Sequence, residues 1–292
     1  MPHGVEVYVS RINYTVEQLR DKATVVRRNI MSMCAGGEWG GCGTALAGAD
    51  LLTTLFFYEI NVDLENPGWA ERDVWHSSSR PLAPALYAAM AEVGFFPRAD
   101  LLKLGEFGHH MQAFPSASTP GIEVSGIPGS GLSTCVGVGL ASRIDDSHRR
   151  VYCIMDDSEV HCGQFWEAAL AAAHHELDNL VLIIDYDGKQ QDGDIEELMA
   201  IAPLTEKLRS FNWHTIEVDG NDVQQIVDAF DRSRSLRGAP VTIFSCTTVG
   251  HGISFMEDDD AWLEGIPDEA QIQAALAELG TSGEEWQKHL VS

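Results

Sequence analysis

Short, unbroken apolar runs alternate with longer amphipathic stretches along most of this chain. The clearest run, Val151 to Met155, carries no polar residue and ends on Asp156-Asp157. Such a run marks a strand buried on both faces, as in a parallel sheet. A polar turn follows, Ser158 to Gly163. Next, Gln164 to Leu177 is rich in Ala, Glu, Leu and His, with Phe165, Ala168, Ala169, Ala172 and Ala173 at helical spacing. A second apolar run, Leu180 to Ile184, ends in Asp185, Asp187 and Gly188 and leads into a loop to Asp192-Gly193. Strand, helix and strand predict a βαβ unit whose handedness puts both strand ends on one edge of a sheet. Ligands of open α/β sheets bind at the carboxyl ends of the strands. Asp157 and Asp187 are therefore expected side by side at that edge.

The flanking pattern predicts more of the same architecture. Residues 15–34 read as a helix with Thr15 as N-cap and Val16, Leu19, Ala23, Val26 and Ile30 on one face. A glycine-rich loop, 36–43, precedes a second predicted helix from Ala45 to Tyr58, and Leu132 to Ile144 reads as another. Beyond the βαβ unit, residues 195–211 contain a helical segment, Thr215 to Val218 a strand, Asp222 to Arg234 a helix and Pro240 to Cys246 a strand. Residues 268–290 form an acidic closing helix or pair of helices, with Ile272, Ala275, Leu276 and Leu279 inward. The expected fold is an α/β, doubly wound parallel sheet flanked by helices, with residues 1–292 forming a single domain.

Composition narrows the class. With 292 residues and 45% apolar content the chain can bury a full core. A net charge of −25 argues against nucleic acid or an anionic membrane surface as partner. No apolar run is long enough to cross a bilayer, and MPHGVEVYVSRINY lacks the basic start and long apolar core of a secretory leader. The six cysteines (34, 42, 135, 153, 162, 246) show no C-x-x-C pair, which suits free thiols in a reducing cytoplasm.

Two carboxylates converging beside a helix N-terminus would repel each other and raise one pKa. A hard divalent cation removes that conflict, since Mg²⁺ takes oxygen ligands and shares them with phosphates. The amides and dipole of the helix N-terminus suit the phosphate. The pattern thus points to a Mg²⁺–diphosphate site. The alternative is structural: Asp157 as a helix N-cap and Asp187 as a turn residue. A dinucleotide fold is disfavoured, because no G-x-G-x-x-G opens a helix after a first strand.

The same stretch resembles the thiamine diphosphate signature of transketolases, a Gly-Asp-Gly closing a strand with an Asn farther on. Cys162-Gly163-Gln164-Phe165-Trp166-Glu167-Ala168 and Leu177-Asp178-Asn179-Leu180 match its continuation. Other blocks follow in the family's order. They include Asn66, Pro67, Trp69, Arg72 and Asp73, Pro84 to Tyr87, Pro120 to Glu123, Gly129 with Gly131 to Ser133, and Val249 to Glu257. By this resemblance Asp157 and Asp187 bind the metal, and the backbone carbonyl of Lys189 completes its shell. The loop of Gly126, Ile127, Pro128 and Gly129, with the amides of Ser158 and Glu159, lines the cofactor. The implied cofactors are thiamine diphosphate and Mg²⁺.

The departures are informative. Asp156 and Ser158 replace the two glycines and Asp187 replaces the Asn, while Gly41, Pro81, Phe114 and Leu263 stand where the family has histidines. Asp156 and Asp187 each add negative charge near the diphosphate. A pocket without those donors cannot grip a ketose polyol in the usual way, so a donor other than the pentose phosphates is expected, such as a 2-oxo acid. His76, His109, His110, His161 and His251 fall in loops that could restore donors, and Cys162 replaces an acid thought to couple paired sites. The resemblance covers only the first of a transketolase's domains. It therefore implies a separately encoded C-terminal, pyrimidine-binding subunit in an α2β2 assembly, with the activating glutamate on that partner. Two alternatives stand beside two-carbon transfer. One is acyl transfer to a carrier, as in the first component of 2-oxo acid dehydrogenases. The other is a non-catalytic subunit with a degenerate site.

Overall fold

The computed structural model describes residues 14–35, 40–122 and 128–291. At its centre lies a five-stranded sheet formed by Val74–Ser77 (β1), Val151–Asp156 (β2), Leu180–Tyr186 (β3), His214–Asp219 (β6) and Val241–Cys246 (β7), in the order β1-β2-β3-β7-β6. Every pairing within it is parallel. A second, two-stranded antiparallel ribbon joins Lys189–Gln190 (β4) to Gly193–Asp194 (β5).

The sheet is doubly wound because alternate residues of its apolar strands feed two separate cores. Tyr152, Ile154, Val181, Ile183 and Ile243 pack into one. That core also takes Leu19, Val26 and Ile30 of α1 (Val16–Cys34), Leu86 and Met90 of α4 (Ala83–Val93), and Ile226 and Phe230 of α9 (Val223–Ser235). Val151, Cys153, Met155, Leu182 and Ile184 pack into the other, against Leu132 of α5 (Gly131–Ile144) and Phe165, Ala168, Ala169 and Ala172 of α6 (Gly163–His174). Thr15 caps α1 through a reciprocal capping box with Gln18. The closing acidic segment is a helix pair, Glu269–Glu278 (α10) and Gly283–Val291 (α11). No helix among the described residues is long and apolar enough to cross a membrane.

The structure adds to or departs from the sequence reading in three places. The continuous helix predicted from Ala45 to Tyr58 is instead α2 (Cys42–Ala47), α3 (Ala49–Thr54) and a π-turn, Leu55–Glu59. The break falls at Gly48, where a Cβ would sit 2.6 Å from Leu82 Cδ2. Residues 195–211 form two short helices, Ile195–Met199 (α7) and Leu204–Ser210 (α8). Strand β1 escaped prediction because its buried residues include His76 and Ser77, which mask the apolar pattern.

A buried ion pair pins these pieces together. Arg27 on α1 donates to both carboxylate oxygens of Asp50 on α3 at 3.1 and 2.5 Å, and to the His251 carbonyl at 3.0 Å. Both side chains are almost wholly buried. Asp50→Ala leaves an uncompensated guanidinium in the core and is expected to destabilise the fold by about 3–5 kcal/mol. Urea unfolding of the variant beside the parent checks this.

Candidate metal and cofactor site

The site grows from the tips of β2 and β3. Asp156 and Asp185 are register partners at the ends of these strands. Beyond them the chain turns at once, through a 3₁₀ helix over Asp157–His161 on one side and through Asp187-Gly188 into the ribbon on the other. The Gly188 amide donates to Asp157 Oδ2 at 2.9 Å, joining the two turns. Asp187 accepts from the Lys189 amide at 2.9 Å and from the Thr44 hydroxyl of α2 at 3.2 Å. These groups border a cleft of ≈ 360 Å³ whose other walls include Arg80, Pro81, Leu263 and Glu264.

The charge in this cleft is strongly one-sided. Burial, then Asp187 and Asp156, pushes the Asp157 carboxyl up to about 9. Asp187 is pushed up to about 6, chiefly by burial, while the Lys189 amide and Thr44 hydroxyl oppose the shift. Asp185 lies deeper, at 1% exposure. Its Oδ1 accepts from Thr247 at 2.8 Å, and its Oδ2 is sealed from solvent with no hydrogen-bond partner. Burial, followed by Asp187, holds this carboxyl well above its usual range.

Comparison with known proteins gives this arrangement its context. The family described as "Transketolase, thiamine diphosphate binding domain" matches residues 20–286. The chain belongs to this family. It is 35% identical over 267 residues to "6-deoxy-6-sulfo-D-fructose transketolase subunit SqwG" of Clostridium sp., covering 91% of this chain and 97% of that protein. It is 34% identical over 273 residues to an apulose-4-phosphate transketolase subunit of Actinobacillus succinogenes, covering 91% of this chain and 98% of that one. Among solved structures, transketolase from Campylobacter jejuni superposes with a TM-score of 0.85 at 23% identity, over 95% of this chain and 46% of the other. Transketolase from Leishmania mexicana superposes at 0.82 and 24% identity, over 92% and 42%. The chain thus spans less than half of these solved transketolases and nearly all of the two subunits.

The residues of this transketolase-family chain fit the family's cofactor unevenly. The fit to a divalent cation is good, because crowded, buried carboxylates are the donors a hard cation takes and need its charge. The fit to a diphosphate is poorer. The Ser158 amide donates to Asp156 at 3.1 Å, and the Gly129 amide donates to the buried Glu159 carboxylate at 2.7 Å. One of the two expected amides, that of Ser158, and the amide of Gly129 in the expected loop are thus engaged within the chain. Glu159 also accepts from the Ser78 hydroxyl at 2.5 Å. Its carboxyl is pushed up to about 7, by burial and then Asp156. Pro128 is exposed beside the buried Gly129, and Gly126 and Ile127 lie outside the described residues. A diphosphate entering this acidic cleft would need a cation's charge beside it.

Other expected groups lie elsewhere. The Lys189 ammonium points away from metal chemistry and bridges Asp194 at 2.6 Å and Asp260 at 3.0 Å. That bridge ties the ribbon to the 3₁₀ turn Asp260–Leu263, which carries Leu263 to the cleft. No histidine is among the described residues lining the cleft, so the loop histidines do not restore the lost donors there. His161, for example, contacts the Met199 carbonyl at 2.8 Å and the Gln190 amide at 2.9 Å. Pro81 and Leu263 line the cleft, whereas Phe114 does not. Gly41 adopts φ 86°, and a Cβ there would lie 2.9 Å from the Leu263 carbonyl oxygen. Thr44, Arg80 and Glu264 also line the cleft. Their place had no signal in spacing alone, because three distant segments bring them together.

Two outcomes follow from this geometry. Without metal, folded Asp157 keeps its proton far above the ordinary carboxylate range, so the unfolded chain binds fewer protons over that interval. Metal-free stability should therefore fall as pH rises from about 4 towards 9. Asp157→Asn should flatten that slope and raise the metal-free melting temperature at pH 8, as read by calorimetry. Separately, Lys189→Met keeps the backbone carbonyl but cuts the bridge. Hydrogen exchange over residues 258–265 should then accelerate several-fold, while exchange in β2 and β3 stays unchanged.

Proposed function

We propose that this chain is the diphosphate-binding subunit of a two-chain, thiamine diphosphate- and Mg²⁺-dependent transferase that moves a two-carbon unit between carbonyl compounds. The observation that carries the reading is the convergence of Asp157 and Asp187 at adjacent strand ends in a family member. Their joined turns and mutual charge call for a cation. The two subunit relatives support the two-chain plan, since this chain covers 97% and 98% of their lengths. Their names refer to a sulfonated deoxy-sugar and a sugar phosphate. That favours a ketose with an anionic end over a 2-oxo acid as the donor class.

In this reading Asp157, Asp187 and the Lys189 carbonyl hold Mg²⁺, and the Thr44 hydroxyl keeps Asp187 turned towards it. Thiamine diphosphate, when bound, supplies the carbon nucleophile that carries the two-carbon unit. Pro81 and Leu263 exclude water from the cleft, and Arg80 brings positive charge to it for the anionic group of donor or acceptor. The pyrimidine half of the site and the activating carboxylic acid come from a C-terminal subunit, in an α2β2 assembly. The whole chain acts as one domain.

The test is calorimetric titration of thiamine diphosphate at fixed Mg²⁺ concentrations, with and without the companion subunit. Affinity should rise steeply with Mg²⁺. It should drop at least about a hundredfold in Asp157→Ala, which removes a charged ligand. Asp156→Gly frees the Ser158 amide and removes one negative charge, and should tighten binding about tenfold. Heat independent of Mg²⁺, or no binding in the assembled complex, would favour the non-catalytic reading.

A further inference from the structure

A second group of metal-competent side chains lies outside the cofactor cleft, close to residues that line a neighbouring hollow. Asp100 sits in the 3₁₀ helix Arg98–Lys103, and His109 and His110 follow in the loop that returns against it. His109 Nε2 is 3.6 Å from Asp100 Oδ1, and His110 Nε2 is 4.0 Å from Asp100 Oδ2. The three donor atoms all lie within 4.8 Å of one another. All three side chains are mostly buried, at 16–20% exposure.

We propose that Asp100, His109 and His110 form a site for a borderline divalent transition ion of the Zn²⁺ or Co²⁺ kind. Two imidazoles and one carboxylate are the donor set such ions prefer, whereas Mg²⁺ prefers oxygen alone. Around Zn²⁺ with bonds of about 2.0–2.2 Å, tetrahedral donors stand about 3.3–3.6 Å apart, so a small inward movement of each ring supplies three of the four ligands and leaves the fourth position to water. The His110 Nε2 atom is sealed from solvent and has no hydrogen-bond partner, a cost that a metal bond removes. The rings are already held. His110 packs edge-on against Phe96 at 5.2 Å, and His109 lies 4.2 Å from His110, centroid to centroid.

Two features oppose binding, and both are weak. The Lys103 ammonium is 3.1 Å from Asp100 Oδ1, but its side chain is half exposed and free to swing into solvent. His109 Nδ1 accepts from the Met111 amide at a long 3.4 Å, a bond lost when Nε2 turns to the metal. The loop itself is compact, with Gly105 donating to the Met111 carbonyl at 3.0 Å and Gln112 to the His109 carbonyl at 2.7 Å. A bound ion would therefore clip a preformed loop onto the 3₁₀ helix. That loop, with Leu102, Leu104 and Ala113, borders a hollow of ≈ 740 Å³ that shares Arg80 with the cofactor cleft. The ion is structural: it sets the wall beside the cleft and takes no part in chemistry there.

The experiment uses the tag-free chain of residues 1–292 in a large excess of Mg²⁺, so that the acidic cleft is occupied by the hard cation. Co²⁺ is titrated in and followed by its visible absorption, then displaced with Zn²⁺. One equivalent should bind and be displaced, and Zn²⁺ should raise the unfolding temperature. Asp100→Asn, His109→Ala and His110→Ala should each weaken binding at least about tenfold. Asp157→Asn should leave the Co²⁺ band intact, which separates this site from the cofactor reading. Lys103→Met removes the competing cation and should tighten binding, an outcome that misfolding cannot mimic. The proposal is overturned if no saturable band appears or if the band survives in the His109→Ala/His110→Ala double variant. It is equally overturned if Lys103→Met changes stability without tightening binding, which marks a simple ion-pair cluster.

Discussion

Parallel pairing of β2 and β3 forces the acids at their ends together. Register places Asp156 beside Asp185, and the turns that follow bring Asp157 under the Gly188 amide. Nothing in the backbone can relax this crowding without unzipping the centre of the sheet, because both strands are buried on both faces. The chain can tolerate such a group in two ways: by keeping protons on the carboxyls or by holding a cation among them. The raised pKa of Asp157 expresses the first, and the proposed divalent ion would supply the second. The fold and the charge problem are thus one feature, and the rest of the cleft is arranged around it.

Much of this was legible in the sequence because buried parallel strands and Ala-rich helices leave strong periodic signals. The runs at 151–155 and 180–184 and the helix between them emerge at nearly their predicted bounds. Legibility failed where tertiary contact overrides local pattern. The helix that periodicity would continue is interrupted at Gly48, where a Cβ would require the Leu82 side chain to shift. Strand β1 carries His76 and Ser77 into the interior, so its composition looks like a loop. At the site, spacing found Asp157 and Asp187 but not Thr44, Arg80 or Glu264, whose positions depend on three segments meeting. It also could not show that Asp156 and Glu159 would claim the Ser158 and Gly129 amides.

Those claimed amides bear on how the cofactor's charge is met. In a glycine-flanked turn, the helix N-terminus offers its amides to phosphate directly. Here Asp156 occupies that place as an intramolecular anion, accepting from both the amide and the hydroxyl of Ser158. A diphosphate and Asp156 compete for the same donor, so the cation carries a larger share of phosphate recognition. In the proposed reading this arrangement makes the metal the gatekeeper of cofactor entry.

The missing histidines follow a related spatial logic. Two of the four positions, Gly41 and Leu263, face each other across a backbone contact. Gly40, Gly41 and Gly43 all lie so close to the Trp262–Glu264 backbone that none has room for a Cβ. A histidine at Gly41 would have to displace the very turn that carries Leu263. The Lys189 bridge through Asp260 holds that turn against the glycine segment. What this side of the cleft lacks in polar grip it gains in apolar closure by Leu263. In the proposed reading, discrimination among donors rests on the shape of the cleft and on charge from Arg80, in place of a row of hydroxyl-binding imidazoles.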